Sequence, residues 1–328
     1  MAHLKFPRRT FLHLAASTVA LPAASRLAMA QAYPARPVRI LAGFPPAGSV
    51  DITARLIGQW LSERLGQQFI IENRPGAGAN LATEAVAKAP PDGYTLLLTS
   101  STDAWNATLY NNLKFNFIRD IVPVATISRG MGVLVVNPSV PVKSLPELIA
   151  SARDNPGKIT IASAGVGSGP HMYWELLRSM TGINMLHVPY RGGGPALTDL
   201  VAGQVQSYFS TLIAAIQYVR SGTLRPLAVS AATRADILPD VPAAAEFVPG
   251  YEATAWFGLA APKGTPSEIV EKLNKEVNAS VANPGMKARF AELGDTMLAS
   301  SPTEFAKLIA TDTDKWAKVI RATGIKAE

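Results

Sequence analysis

The chain contains no cysteine, which excludes disulfides, thiolate metal sites and a cysteine nucleophile. Histidine is nearly as scarce: four among 328 residues, with His3 and His13 in the first thirty. His171 and His187, lacking a thiolate or a tight acid cluster nearby, make a poor zinc site, so no metal is expected. No G-x-x-x-x-G-K-[ST] motif exists, and Gly165-x-Gly167-x-Gly169 lacks the G-x-G-x-x-G spacing. No nucleotide or other cofactor is therefore expected. No serine fits a G-x-S-x-G elbow, and no nucleophile–base–acid set can be assembled, so no catalytic residue is assigned. Long apolar runs are missing too. The strongest, such as Thr95–Thr99 and Gly132–Val136, are strand-sized.

The first thirty residues state where the protein works. Pro7-Arg8-Arg9-Thr10-Phe11-Leu12 sets paired arginines before an apolar run that Pro22 interrupts, and Ala28-Met29-Ala30 closes it. The run is shorter than the ~20 residues a bilayer span needs. Basic n-region, short h-region and Ala-x-Ala site read as a cleaved export signal of twin-arginine type over residues 1–30. The expected location is the periplasm, with a mature protein starting near Gln31. Discounting Lys5, Arg8, Arg9 and Arg26 leaves 27 basic and 24 acidic residues, so the net charge falls from +7 to +3. No long basic run remains, which argues against a nucleic-acid partner. A mild positive balance suits an anionic small ligand.

Short apolar runs alternate with helical patterns. Strands are expected at Val38–Gly43, Phe69–Glu72, Thr95–Thr99, Ile159–Ser163, Met185–Val188, Val205–Phe209 and Leu227–Ser230. Helices are expected at Asp51–Leu65, Leu81–Ala89, His171–Thr181, Ala196–Ala202, Ser267–Ala282 and Thr303–Ala322. This alternation builds an α/β fold with helices on both faces of a parallel or mixed sheet. Ser144–Glu147, Thr265–Glu268 and Ser301–Glu304 read as capping boxes, the last two with proline at the first helical position. Crossings at Gly132–Asn137 and Ala255–Pro262 predict one discontinuous domain, 32–132 with 257–328, and a second, 133–256. Two crossings make a hinge, with a cleft between the lobes.

Five loops at strand-to-helix turns carry the chemistry: Gly43–Asp51, Arg74–Asn80, Ser100–Thr102, Ser163–His171 and Pro189–Pro195. Ligands of open α/β sheets sit at the C-terminal ends of strands. Glycine admits close backbone approach, and the following helix N-terminus offers free N–H groups to an anion. A β-branched residue at Gly48 is expected to crowd that approach and to disfavour the loop's dihedrals. Asp51 reads first as a helix cap or first-turn acid, which asparagine would replace well. His171 opens a helix after the fourth loop and so can face the cleft, whereas His187 reads as structural. Trp105, Tyr110, Tyr190, Trp256 and Phe257 are candidate aromatic walls, though each residue type is more often core.

The loops resemble those of the receptors of tripartite tricarboxylate transporters, the Bug family. The carriers include Tyr33-Pro34-x-Arg36-Pro37-Val38-Arg39-Ile40, Phe44-Pro45-Pro46-Ala47-Gly48-Ser49-x-Asp51 and Glu72-Asn73-Arg74-Pro75-Gly76-Ala77-Gly78. Further carriers are Pro91-Asp92-Gly93-Tyr94-Thr95-Leu96-Leu97 and His187-Val188-Pro189-Tyr190-x-Gly192-Gly193-Gly194-Pro195-Ala196. Leu238-Pro239-Asp240-Val241-Pro242 and Trp256-Phe257-Gly258-Leu259 complete the set. The resemblance implies a two-lobed periplasmic-binding-protein fold of type II-like architecture. It also implies a small carboxylate in the cleft and, as partners, the membrane permease subunits of such a transporter. A monomer is expected. The ligand-binding residues it implies, taken with the loop reading, are Phe44, Pro46, Ala47, Gly48, Ser49, Asp51, Gly78, Ser101, Gly167, Ser168, His171, Tyr190, Gly192, Gly193 and Thr211. The family pattern has glycine where Ala47 stands, a polar residue where Val50 stands and often an acid where Ser210-Thr211 stand. Those departures favour a ligand with an apolar or neutral distal end, such as an aromatic acid. The alternatives are a sensing receptor for a signalling partner and an extracytoplasmic hydrolase or lyase using Asp51 and His171.

Overall fold

A computed structural model describes residues 33–327; the expected export signal over 1–30 lies outside the described residues. Residues from Arg36 onward form one compact unit, and 33–35 belong to the unit before it. Its elements begin with β1 (Val38–Ala42), α1 (Ser49–Leu65), β2 (Phe69–Asn73), α2 (Asn80–Ala87), β3 (Thr95–Ser100), α3 (Ser101–Leu109), α4 (Phe117–Asp120) and β4 (Ile121–Val136). Then come α5 (Leu145–Asp154), β5 (Thr160–Ser163), α6 (Gly169–Thr181), β6 (Leu186–Pro189), α7 (Gly193–Val201), β7 (Ser207–Thr211), α8 (Leu212–Arg220) and β8 (Arg225–Val229). The chain closes with β9 (Thr254–Pro262), α9 (Ser267–Ala282), α10 (Pro284–Glu292), β10 (Asp295–Met297) and α11 (Pro302–Thr323). No described helix is long and apolar enough to cross a membrane.

The strands read as buried runs because helices cover both faces. β3 is buried at every position, and β1 at all but Arg39. β2, β1 and β3 pair in parallel, then β9 and β4 join antiparallel, and β7, β5 and β6 complete the order. The two-lobed α/β architecture hangs on β4. Its Ile121–Met131 segment pairs with β9, whereas Gly132–Val136 pairs with β7 and β8. One long strand thus belongs to both sheets. A second passage runs beside it: Gly132 N donates to Ser230 Oγ at 2.6 Å, and Ala253 N donates to the Ser230 carbonyl at 2.9 Å. Gly132 has no room for a side chain there, since a Cβ would stand 2.6 Å from the Tyr173 ring.

A tryptophan cluster anchors the helix that will matter at the site. Trp105 on α3 lies against Trp316 on α11 with ring centroids 4.8 Å apart. The indole N–H groups of Trp105 and Trp256 both donate to Asp312 Oδ2 at 3.0 Å. Burial pushes the Asp312 carboxyl up, and the two indoles only partly offset it. α3 is thereby fixed to α11 and β9 by packing and by two partly buried hydrogen bonds.

Several local expectations change. Ser144 and Ser301 cap their helices as the pattern requires, accepting from Glu147 N and Glu304 N. Thr265 does not: its hydroxyl turns back to the Pro262 carbonyl at 2.8 Å, and Pro266 itself is the N-cap. Helices α4, α8 and α10 were not expected from the sequence, and for α3 only its starting turn, Ser100–Thr102, was. α3 and α8 follow their strands without any intervening loop, so no Gly or Pro announces them.

Candidate functional site

Five strand-to-helix turns converge on one small, partly open pocket of about 40 Å³. The turns are β1–α1, β3–α3, β5–α6, β6–α7 and β7–α8. Its lining holds Gly48 and Ser49, Ser100 to Thr102, Ser168 to Pro170, Gly193 and Thr211, all at helix starts. The first N–H groups of a helix have no partner within it, and the macrodipole adds partial positive charge. Phe44, Val50, Ala164, Tyr208, Ala255 and Phe257 complete the wall. No Asp, Glu, Lys, Arg or His lines it. Burial pushes the Tyr208 phenol above its ordinary range, so at neutral pH it remains a donor. A Cβ on Gly193 would stand 3.3 Å from that hydroxyl, which places Tyr208 beside the fifth loop. The arrangement presents N–H and O–H dipoles to an anion and offers no general base or nucleophile pair.

The individual hydroxyls differ in what they can give. Ser101 Oγ accepts from Trp256 N at 2.9 Å, which leaves its proton for a ligand. Ser168 Oγ donates to the Gly165 carbonyl at 2.6 Å and accepts from His171 N, so its proton is already committed to the loop. Ser168→Ala is therefore expected to act on binding through the loop and not through a lost donor to the ligand.

Asp51 lies behind the first loop, only 3% exposed, and holds it from below. Its carboxylate accepts from Ala47 N at 3.0 Å, from Asn73 Nδ2 at 3.0 Å and from Arg55 at 2.9 and 3.0 Å. Asn73 also donates to the Phe44 carbonyl at 2.9 Å. Burial works to raise the Asp51 carboxyl, but the bonds from Arg55, Asn73 and Ala47 outweigh it and hold it below its ordinary value. The clamp keeps Ala47 at φ 65°, a left-handed conformation costly for a residue with a Cβ. That is the position where the resemblance implies a glycine. Ala47→Gly is expected to stabilise the fold by roughly 0.5–1 kcal/mol, with the gain reduced by glycine's greater unfolded entropy. Ala47→Val should destabilise it; urea unfolding of the two variants reads both signs.

Of the residues named from the sequence, the pocket gathers Phe44, Gly48, Ser49, Ser101, Ser168, Gly193 and Thr211. Pro46 and Ala47 line a separate open groove between α1, α7 and α8. Gly78 and Tyr190 line another, with Tyr110. Gly167 and Gly192 sit where the lobes meet: a Cβ on Gly167 would stand 2.6 Å from Leu109, and one on Gly192 2.5 Å from Pro45. Asp51 and His171 lie behind the loops and outside the pocket lining. Gly48 has φ −86°, which any residue adopts, and a Cβ there would make only ordinary contacts at 3.7 and 3.9 Å. The dihedral reason for a glycine at 48 therefore fails, and only the space it leaves remains. Val50, Ala164, Gly169 and Pro170 fall within the first and fourth loops but not among the ligand residues named from the sequence; Tyr208 and Ala255 lie outside every loop singled out, because β7 and β9 deliver wall residues with no motif to mark them.

A family model described as tripartite tricarboxylate transporter family receptor matches residues 53–325. The chain belongs to that family of receptors. It is 38% identical over 300 residues to Protein BugT of Bordetella pertussis, covering 90% of this chain and 92% of that one. Among solved structures it is similar to R. palustris Rpa4515 with adipate, at TM-score 0.88 and 36% identity over 90% of this chain and 99% of that one. It is likewise similar to MatC (Rpa3494) from Rhodopseudomonas palustris with bound malate, at TM-score 0.84 and 32% identity over 88% and 100%. The receptor thus shares its fold along nearly the whole of these relatives.

Proposed function

We propose that this receptor captures a small carboxylate in the pocket between its lobes and hands it unchanged to the membrane permease subunits of a tripartite transporter. The observation that carries the reading is the convergence of five helix N-termini on a pocket without a charged side chain. Such a site neutralises an anion with N–H dipoles and hydroxyls, each helix end contributing roughly 0.3–1 kcal/mol and more when buried. Relatives holding adipate and malate support the same ligand class. The ligand's carboxylate sits against the Gly48–Ser49, Ser101–Thr102 and Gly193 amides, and its body lies against Phe44, Val50 and Phe257. Those walls suit a methylene chain or an aromatic ring. One lobe comprises 257–328 together with the part of 32–132 from Arg36 onward, and the other 133–256. The site is periplasmic once residues 1–30 are removed, and it works by binding and not by catalysis.

Calorimetric titration with adipate, malate and benzoate against their amides tests this. Saturable binding of at least one acid and of no amide is expected, with the acid recovered unchanged by mass spectrometry. At ~100 times the dissociation constant the gain in stability is about 2.7 kcal/mol, which moves the melting point by roughly 4 °C. Equal binding of acid and amide, or turnover of the acid, would overturn the reading.

A further inference from the structure

The fourth loop, residues 164–168, supplies Ala164 and Ser168 to the pocket and touches the other lobe through Gly167 and Leu109. Its own backbone is unusual, with Gly165 at φ 114° and Gly167 at φ 78°. Two histidines stand behind it. Gly167 N donates to His171 Nδ1 at 3.1 Å. His187 Nε2 lies 2.7 Å from Ser163 Oγ, which accepts from Gly165 N at 3.1 Å. The two rings stack on one another, centroids 4.4 Å apart and 22° from parallel. Neither ring lines the pocket.

We propose that His171 and His187 are positioning residues for the fourth loop, each acting as a neutral hydrogen-bond acceptor that holds Gly165–Ser168 in its ligand-binding shape. We assign different tautomers to the two rings. His171 must carry its proton on Nε2, because Nδ1 accepts from Gly167. That Nε2 faces Glu175 Oε1 at 3.8 Å. Ser163 Oγ accepts the Gly165 N–H and still has both a proton and a lone pair to offer His187 Nε2; with the proton assigned to Ser163, His187 accepts on Nε2 and carries its own proton on Nδ1.

The surroundings keep both rings neutral. Burial first, then the neighbouring His187 and Arg178, push His171 down to about 3; burial pushes His187 down to about 4. Glu175 would favour a charged His171, but Arg178 engages its carboxylate at 2.7 and 2.9 Å. Below these values a proton on either acceptor nitrogen removes the bond it makes. The linkage sign follows: the folded-state values lie below the unfolded value of ~6.5, so the fold loses stability as pH falls from there toward 4 and 3.

Nitrogen-15 spectra of the imidazoles at neutral pH test the assignment, expecting the Nε2–H form at His171 and the Nδ1–H form at His187. Amide exchange and calorimetry with adipate then test the role. His171→Leu leaves the Gly167 N–H buried without a partner, so its exchange should quicken and adipate binding weaken by about tenfold or more. His171→Asn places Oδ1 near the Nδ1 position and should restore both to within about threefold. His187→Met and His187→Gln form the equivalent pair, read at Gly165. The opposite tautomers, or a Gly167 amide that exchanges in His171→Leu as in the unmodified protein, would overturn the proposal. The consequence for binding rests on the carboxylate reading of the pocket. If adipate does not bind even the unmodified protein, the spectra and exchange still decide the positioning role by themselves.

Discussion

Gly192→Ala is expected to weaken carboxylate binding by at least about a hundredfold, or ~3 kcal/mol, while leaving both lobes folded. Gly192 has φ 149° and ψ 170°, a conformation open to glycine and costly for alanine, at about 1–3 kcal/mol. The larger effect is steric and crosses the cleft. A Cβ at 192 would stand 2.5 Å from Pro45 Cδ and 2.8 Å from Pro45 Cγ. Pro45 belongs to the β1–α1 turn and Gly192 to the β6–α7 turn, so the added methyl wedges one lobe from the other. Closure that brings five helix ends around one anion cannot then complete, and the ligand loses the contacts it makes only in the closed form. Small-angle scattering should show the variant remaining expanded at ligand concentrations that compact the unmodified protein. Pro45→Ala combined with Gly192→Ala removes Cγ and Cδ and should recover part of the affinity, leaving only the dihedral cost. Full-strength binding by folded Gly192→Ala would mean that the two turns need not meet.

The contrast with Gly48 shows what a sequence can and cannot say about glycines. Both stand in glycine-bearing loops before a helix, and the pattern alone treats them alike. The need at 192 arises from a proline nearly 150 residues away, which no local pattern encodes. Strand and helix positions were legible because buried runs such as Thr95–Ser100 and one-faced helices such as Ser49–Leu65 carry their period in the chain. The turns that build the site were legible for the same reason, since Gly43–Gly48, Ala164–Ser168 and Tyr190–Gly192 separate strand from helix. Where strand passes directly into helix, at Ser100–Ser101 and Thr211–Leu212, no local pattern sets the extent of the helix. Tyr208 was hidden because β7 is buried along its whole length and shows no alternation. His171 was placed at the right loop but on the wrong side of it. A helix start tells which turn a side chain follows, and packing decides whether it faces cleft or scaffold.

Asp51 gives the second large effect, and here the structure reverses the expectation that asparagine would serve. A cap needs one acceptor, which asparagine has. The Asp51 carboxylate instead accepts from Ala47, Asn73 and Arg55 at once, using both oxygens. Asp51→Asn would replace one of those oxygens by an amide NH₂, turning a donor toward Ala47 N and Arg55 Nε or toward the Asn73 amide. It would also leave the Arg55 guanidinium without its counter-charge. A lost charge-assisted bond costs about 1.5–3 kcal/mol, and more where a buried donor then has no acceptor. Arg55 is more than half exposed, so water takes up much of its share. The main loss falls on Ala47 N and the Asn73 amide, which together hold the first loop. Asp51→Asn is therefore expected to lower stability by about 2 kcal/mol and to weaken carboxylate binding about tenfold or more. The pH dependence has a definite sign. Because the folded-state carboxyl lies below its ordinary value, its contribution is fully present above pH ~4 and is lost as the pH falls below that toward the lower folded-state value. Urea unfolding should thus separate the two proteins at pH 7, with the gap narrowing as the pH falls below the ordinary carboxyl value. An Asp51→Asn protein with unchanged stability at pH 7 and undiminished adipate affinity would return Asp51 to the role of a simple cap.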